Sequence, residues 1–205
     1  MPANSATAAR MTAEERRRQL LDVTRGIVAE EGFHAVSIEA VARRAGITRP
    51  IVYGHFNDLA GLLEALVDRE SERALTQLAD VLPRDLGGRD PREPLLAALR
   101  GYLEAVQAEP ITWRLVLMPP EGAPAVLRDR IAQGRAAVVA QLADAMGPGM
   151  GPGRESPDPE LTAHTLSALA DESARLLLTD PQRYPIERLL AHAGWLLDEL
   201  RAGNA

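Results

Sequence analysis

AGITRPIVYGHF, residues Ala45–Phe56, reads as the end of one helix, a tight turn and a short second helix. Gly46 supplies the unusual backbone that such a turn needs. Thr48 stands where an N-cap belongs, and Pro50 falls in the first helical turn, where proline is tolerated. Val52 and Phe56 are four apart and share an inward face. Arg49 and Tyr53 are also four apart and face outward, with Pro50 and Gly54 beside them. Working back, Ser37 caps the preceding helix, whose Ile38, Val41, Ala42 and Ala45 form one buried stripe. Ala42 is small where two helices cross, and Val41, Ile47 and Val52 fill the space between them. Further back, Thr12-Ala13-Glu14-Glu15 is a capping box. Leu20, Val23, Ile27 and Val28 continue at helical spacing, and Gly32 stops that helix. Three helices with a glycine turn between the last two make a helix-turn-helix head.

The outward residues suit a polyanion. An arginine at a helix N-terminus, as Arg49 is, can fork onto guanine O6 and N7 in a major groove. Gly54 adds no bulk, so the helix can sit close. Tyr53 and His55 offer donors to phosphate, and Ser37 and Thr48 offer hydroxyls at helix N-termini. Arg43 and Arg44 end the second helix near a flanking phosphate path, although they equally suit the negative end of that helix's dipole.

Composition agrees without deciding. The chain has 205 residues, 46% of them apolar, and a net charge of -6. Residues 1–56 carry net +2 and the remainder net -8, every cationic side chain being Arg. A mildly basic head on an acidic body places a polyanion at one end. No cysteine is present, so disulfides and thiolate ligands are excluded. No apolar run reaches the ~18 residues of a membrane span, and MPANSATAARM lacks a signal-peptide core. The expectation is a cytoplasmic protein with no membrane partner.

The rest of the chain reads as helices. A fourth starts at Asn57-Asp58 and runs to about Leu82, before a loop over 83–94. Others cover about 95–107, 111–118, 124–146, 160–179 and 186–201, with GPGMGPGRESPDP (147–159) as an excursion. The expected fold is all-α, about nine helices: a flexible arm (1–11), the three-helix head (12–56) and a larger effector-binding and dimerisation domain (57–205).

The segment GFHAVSIEAVARRAGITRPIVYGHFNDLAGLLEALV (32–67) resembles the DNA-binding head of the TetR family of bacterial transcriptional regulators. The carriers are the G-F, the V-S-I-E-A-V-A run, A-G-I-T and the Y-x-H-F ending. The resemblance implies a homodimer on a partly palindromic double-stranded operator, and a second domain that binds a small molecule and releases DNA, most often a repressor. It implies DNA contacts from Ser37, Thr48, Arg49, Tyr53 and His55. Leu59 stands where the family often has a phosphate-contacting lysine; Arg10 and Arg16–Arg18 are candidate substitutes, although a solvated helix face suits Arg16–Arg18 better. A dimeric ligand-binding protein without specific DNA binding is the alternative.

The last two helices point to the dimer. Ala163, Ser167, Ala170 and Ala174 form a small-residue stripe, and Leu189, Ala193, Leu196 and Leu200 an apolar one. Apolar surface around so much of a helix needs cover on more than one side. A matching pair from a second copy, making a four-helix bundle, would supply it. Tyr102, Trp113, Met118, His164 and Glu172 are candidates for a ligand pocket. Tyr102 and Trp113 equally suit plain core; Asp171 and Glu172 can anchor a cationic ligand, although Glu172 is also spaced to pair with Arg175. The sequence implies no cofactor or metal site. His34, His55, His164 and His192 are scattered without an H-x-x-x-H pair, no G-x-S-x-G elbow occurs, and GPGMGPG lacks the lysine of a P-loop. These absences argue against an enzyme.

Overall fold

In the computed structural model, the described residues are 11–84, 86, 90–118, 125–146 and 158–202; for Leu127 and residues 200–202 the backbone alone is described. The expected arm, apart from Met11, and nearly all of the 147–159 excursion lie outside them. Among the described residues there are nine α-helices, one 3₁₀ turn and no strand. The chain divides into two compact units, Met1–Leu66 and Val67–Ala205.

In the first unit, helix α1 (Ala13–Glu31) opens on the capping box. Thr12 Oγ1 accepts the Glu15 N–H at 3.2 Å, and the Glu15 carboxylate accepts the Thr12 N–H at 2.7 Å. That backbone N–H, seconded by the Thr12 hydroxyl, holds the Glu15 carboxyl below the usual range. Leu20, Leu21, Thr24, Ile27 and Val28 are its buried face. A 3₁₀ turn over Phe33–Ala35, absent from the sequence reading, buries Phe33 before α2. In α2 (Ile38–Ala45), Ser37 Oγ accepts the Ala40 N–H at 3.0 Å, and Ile38, Val41 and Ala42 are buried. Gly46 then adopts the left-handed conformation (φ 67°) and returns its N–H to the helix end.

Helix α3 (Arg49–Phe56) buries Val52 and Phe56, as the spacing predicts. Thr48 is its N-cap by position, but its hydroxyl makes no capping bond. Arg17 of α1 fastens the other end. Its guanidinium lies 4.4 Å from the centre of the Phe56 ring and donates to the His55 carbonyl at 2.8 Å. The sequence reading left this arginine on a solvated face; a partner 38 residues away draws it inward. Helix α4 (Leu59–Val81) starts two residues later than expected, because Asp58 Oδ1 caps it by accepting the Gly61 N–H at 2.8 Å.

The boundary between the units falls within α4. The second unit adds α5 (Arg92–Ala108), α6 (Pro110–Leu117), α7 (Ala125–Ala145), α8 (Pro159–Thr179) and α9 (Ile186–Ala202). Helix α5 packs on α8 and α9, and α8 also receives α6 and α7. One core joins Ala74, Tyr102, Leu103, Val106, Trp113 and Ala174; a second joins Leu86, Val139, Leu142, Ala145, Met146 and Ala163. Helix α5 begins three residues before the expected Leu95. Asp90 Oδ1 accepts the Arg92 N–H at 3.1 Å, and the Arg92 guanidinium grips Asp198 of α9 at 2.7 and 3.1 Å. The expected loop is also anchored: Leu86 is buried and donates its N–H to the Ala145 carbonyl at 3.0 Å.

Candidate nucleic-acid interface and ligand cavity

Helix α3 divides cleanly into two faces. Inward, Val52 and Phe56 fix it to α1 and α2. Outward, Tyr53 is 47% exposed and the Arg49 side chain 63% exposed. Arg49 reaches Glu39 only at 3.9 Å, between two solvated groups, so the pair restrains it little. The Tyr53 and Thr48 hydroxyls and Arg43 have no partner among the described residues, and Ser37, Pro50 and Gly54 are exposed. His55 is half-buried beside the Phe56 ring. A Cβ at Gly54 would meet nothing within 4 Å, so internal packing does not require glycine there. The face therefore offers a planar cation, a phenol, hydroxyls and a bare stretch of backbone on one short helix.

Arg44 stands apart from the other candidates. Its guanidinium is held by Glu30, with Glu31 at 3.6 Å, on the last turn of α1. The Glu30 bond, against a smaller loss of hydration, raises its pKa above the ordinary arginine value. Expected as a phosphate contact or a dipole charge, it is a tie between α1 and α2.

The second unit holds a cavity of about 660 Å³. Helices α4, α5, α6, α7, α8 and α9 all contribute walls, chiefly leucine. Of the five pocket candidates, Tyr102, Trp113 and Glu172 line it. The Tyr102 hydroxyl donates to Asp171 Oδ1 at 3.2 Å, and its ring meets Trp113 edge-on at 5.0 Å. Burial above all, then the Asp171 charge, pushes the phenol well above its usual pKa, so it stays protonated. Met118, exposed at the end of α6, and His164, exposed on α8, do not line the cavity. Asp171, read beside Glu172 as a cation anchor, also lines the cavity, but its pairing with Arg135 spans 36 residues and was not legible in the sequence.

The expected dimer stripe on α8 needs correction. Ala163 and Ala174 are wholly covered by their own chain, in its two cores, and Ser167 is buried. Ala170 is half-buried against the core. Small residues stand here because α5, α6 and α7 all pack on α8. On α9, Leu189 is likewise core, Ala193 and Leu196 are half-buried in the cavity lining, and the Leu200 side chain lies outside the described residues. The exposed apolar groups of these helices are others: Leu161 (63%), Leu169 (47%) and Trp195 (53%), the last stacked on His192.

An all-helical chain with this head is a helix-turn-helix protein. Residues 20–66 match the family of bacterial regulatory proteins, tetR family. The chain is 37% identical over 92 residues to the HTH-type transcriptional regulator BetI of Yersinia pestis, covering 45% of this chain and 46% of BetI. It is 27% identical over 107 residues to the HTH-type transcriptional activator FasR of Mycolicibacterium smegmatis, 52% of this chain and 48% of that one. The alignments thus span about half the length of these relatives. A tetR-family transcriptional regulator from Streptomyces coelicolor has a similar structure: TM-score 0.69, 28% identity, 95% of this chain and 84% of that one. A TetR-like regulator from Rhodococcus sp. RHA1 shares the fold: TM-score 0.72, 23% identity, 95% and 100% covered. Residues 20–66 are thus a TetR-family DNA-binding head, on a chain whose fold is similar to that of TetR-family regulators. Among the described residues, no helix is long and apolar enough to cross a membrane.

Proposed function

We propose that the chain is a ligand-responsive transcriptional regulator that binds a partly palindromic operator as a homodimer. A small molecule in the cavity releases it, and the family resemblance favours repression as its action. The observation that carries this reading is the outward face of α3, where Arg49, Tyr53 and Gly54 serve no packing need of their own chain. Arg49 is the base reader, through guanine O6 and N7, while Tyr53, Thr48, Ser37 and His55 hold phosphates. Pro50 and Gly54 let the helix come close, and Arg43 extends the backbone contacts. The cavity, with Tyr102, Trp113 and Glu172 in its walls, is the effector site. The names of the relatives include both a regulator and an activator, so the sign of control is tested separately.

The test is binding to duplexes carrying partial palindromes from the parent genome, against random duplex, at several salt concentrations. The expected result is tighter binding to one palindrome by ~10³ or more, with affinity falling steeply as salt rises. A reporter downstream of that site is expected to be silenced by the protein. Weak, equal binding to all duplexes favours the other reading, a dimeric ligand-binding protein without specific DNA binding. Two points lend that reading support: Leu59 stands where the family resemblance implies a phosphate-contacting lysine, and Arg44 is already held by Glu30.

A further inference from the structure

The cavity walls contain four charged side chains, and each is neutralised within the chain. Arg135 is paired with Asp171 at 2.5 Å, Arg130 with Asp68 at 2.8 Å, and Glu172 with Arg175 at 3.2 Å. Among the neutral polar groups of the lining, Ser71 Oγ is buried without a hydrogen-bond partner among the described residues, and several others are occupied. The Tyr102 hydroxyl donates to Asp171, and the Trp113 indole N–H donates to Gln77 Oε1 at 3.0 Å. The Thr165 and Ser173 hydroxyls turn back to the carbonyls of Leu161 and Leu169. What faces the space is aliphatic, such as Leu78, Leu99, Ile131, Val138, Leu166 and Leu176. An ionic ligand entering here would give up its hydration and find no uncompensated charge to replace it.

We propose that the cavity takes an uncharged lipophilic molecule and discriminates against anions and cations of the same chain length. The inference rests on the reading of the cavity as the effector site. Its selectivity comes from the pairing: Asp171 cancels Arg135, so neither attracts an ion. The pair is therefore a specificity determinant, and removing one member changes which ligand is favoured.

Three probes of equal length test it on the full chain: 1-dodecanol, dodecanoate and dodecyltrimethylammonium, each below its aggregation concentration. Affinity is read by calorimetry and by displacement of the neutral dye N-phenyl-1-naphthylamine. The alcohol is expected to bind about tenfold or more tighter than either ion. Asp171→Asn, which leaves the Arg135 guanidinium without its carboxylate, is expected to shift preference toward dodecanoate by a similar factor. Arg135→Gln is expected to shift it toward the ammonium. His164→Ala, on the exposed side of α8 and outside the cavity lining, is expected to keep the native order. An ion that binds the native protein as well as the alcohol does overturns the inference alone. Failure of the dye and all three probes to bind overturns the effector-site reading with it.

Discussion

A glycine inside a helix lowers stability by roughly 0.5–1 kcal/mol relative to alanine. Gly54 lies within α3, yet no neighbour requires it. Gly54→Ala is therefore expected to raise the unfolding free energy by up to about 1 kcal/mol in urea melts. The same change is expected to weaken operator binding by about tenfold, because the added methyl group stands between helix and groove. Unchanged DNA affinity would mean that α3 does not dock closely. Its neighbours separate by role. Tyr53→Ala is expected to weaken specific and random duplex alike, as loss of a phosphate contact does. Arg49→Ala is expected to cost about 1–3 kcal/mol at one base pair and relax preference there. A full binding-site selection with each variant distinguishes the two, and an Arg49 variant with native preference would remove Arg49 from base reading. These outward residues were legible in sequence because period and chemistry coincide within one short helix. Arg17 and Arg44 were not, because their partners lie 38 and 14 residues away and only the folded chain brings them together.

At the scale of elements, helix starts were read from capping residues, but position alone did not show which caps are made. Ser37 makes its bond to the Ala40 N–H, whereas the Thr48 hydroxyl makes none. Ser37→Ala is accordingly expected to destabilise the head by ~1 kcal/mol, and Thr48→Ala by a few tenths at most, both read by thermal and urea melts. If Thr48→Ala proves as costly as Ser37→Ala, the cap assignment on α3 is wrong. The α8 stripe shows a different limit. Small residues at helical spacing announce a close crossing, but either a neighbouring helix or a second copy satisfies them. Here the chain's own helices do. The polar tie between α4 and α6 was not legible either. Glu70, buried in α4, accepts from the Thr112 hydroxyl of α6 at 2.5 Å, and Arg69 lies 2.9 Å from the same carboxylate. Thr112→Val keeps the shape and deprives the buried carboxylate of a donor. It is expected to lower stability by about 1–3 kcal/mol, with little change in the helix content seen by circular dichroism.

For the whole molecule, the proposed dimer makes the strictest demand. The α8–α9 surface left uncovered by the chain carries Leu161, Leu169 and Trp195, large apolar groups on two helices. Exposed apolar area of this kind marks an interaction site when it is contiguous, and a symmetric dimer would bury it against its own copy. Trp195→Glu places a carboxylate on that surface without touching either core, the cavity lining or the head. The variant is expected to sediment as a monomer at concentrations where the native chain is a dimer, with unchanged circular dichroism. A monomer presents one α3 to one half-site. Its specific affinity is then expected to fall by on the order of 10²–10⁴, the gain that joining two binding modules supplies. The slope of log affinity against log salt is expected to fall to about half, because half the phosphate contacts are made. The two readings check each other. A variant that stays dimeric places the interface elsewhere on the chain. A monomeric variant that keeps both native affinity and native salt slope shows that one head suffices, and the palindrome then has no physical basis in this protein.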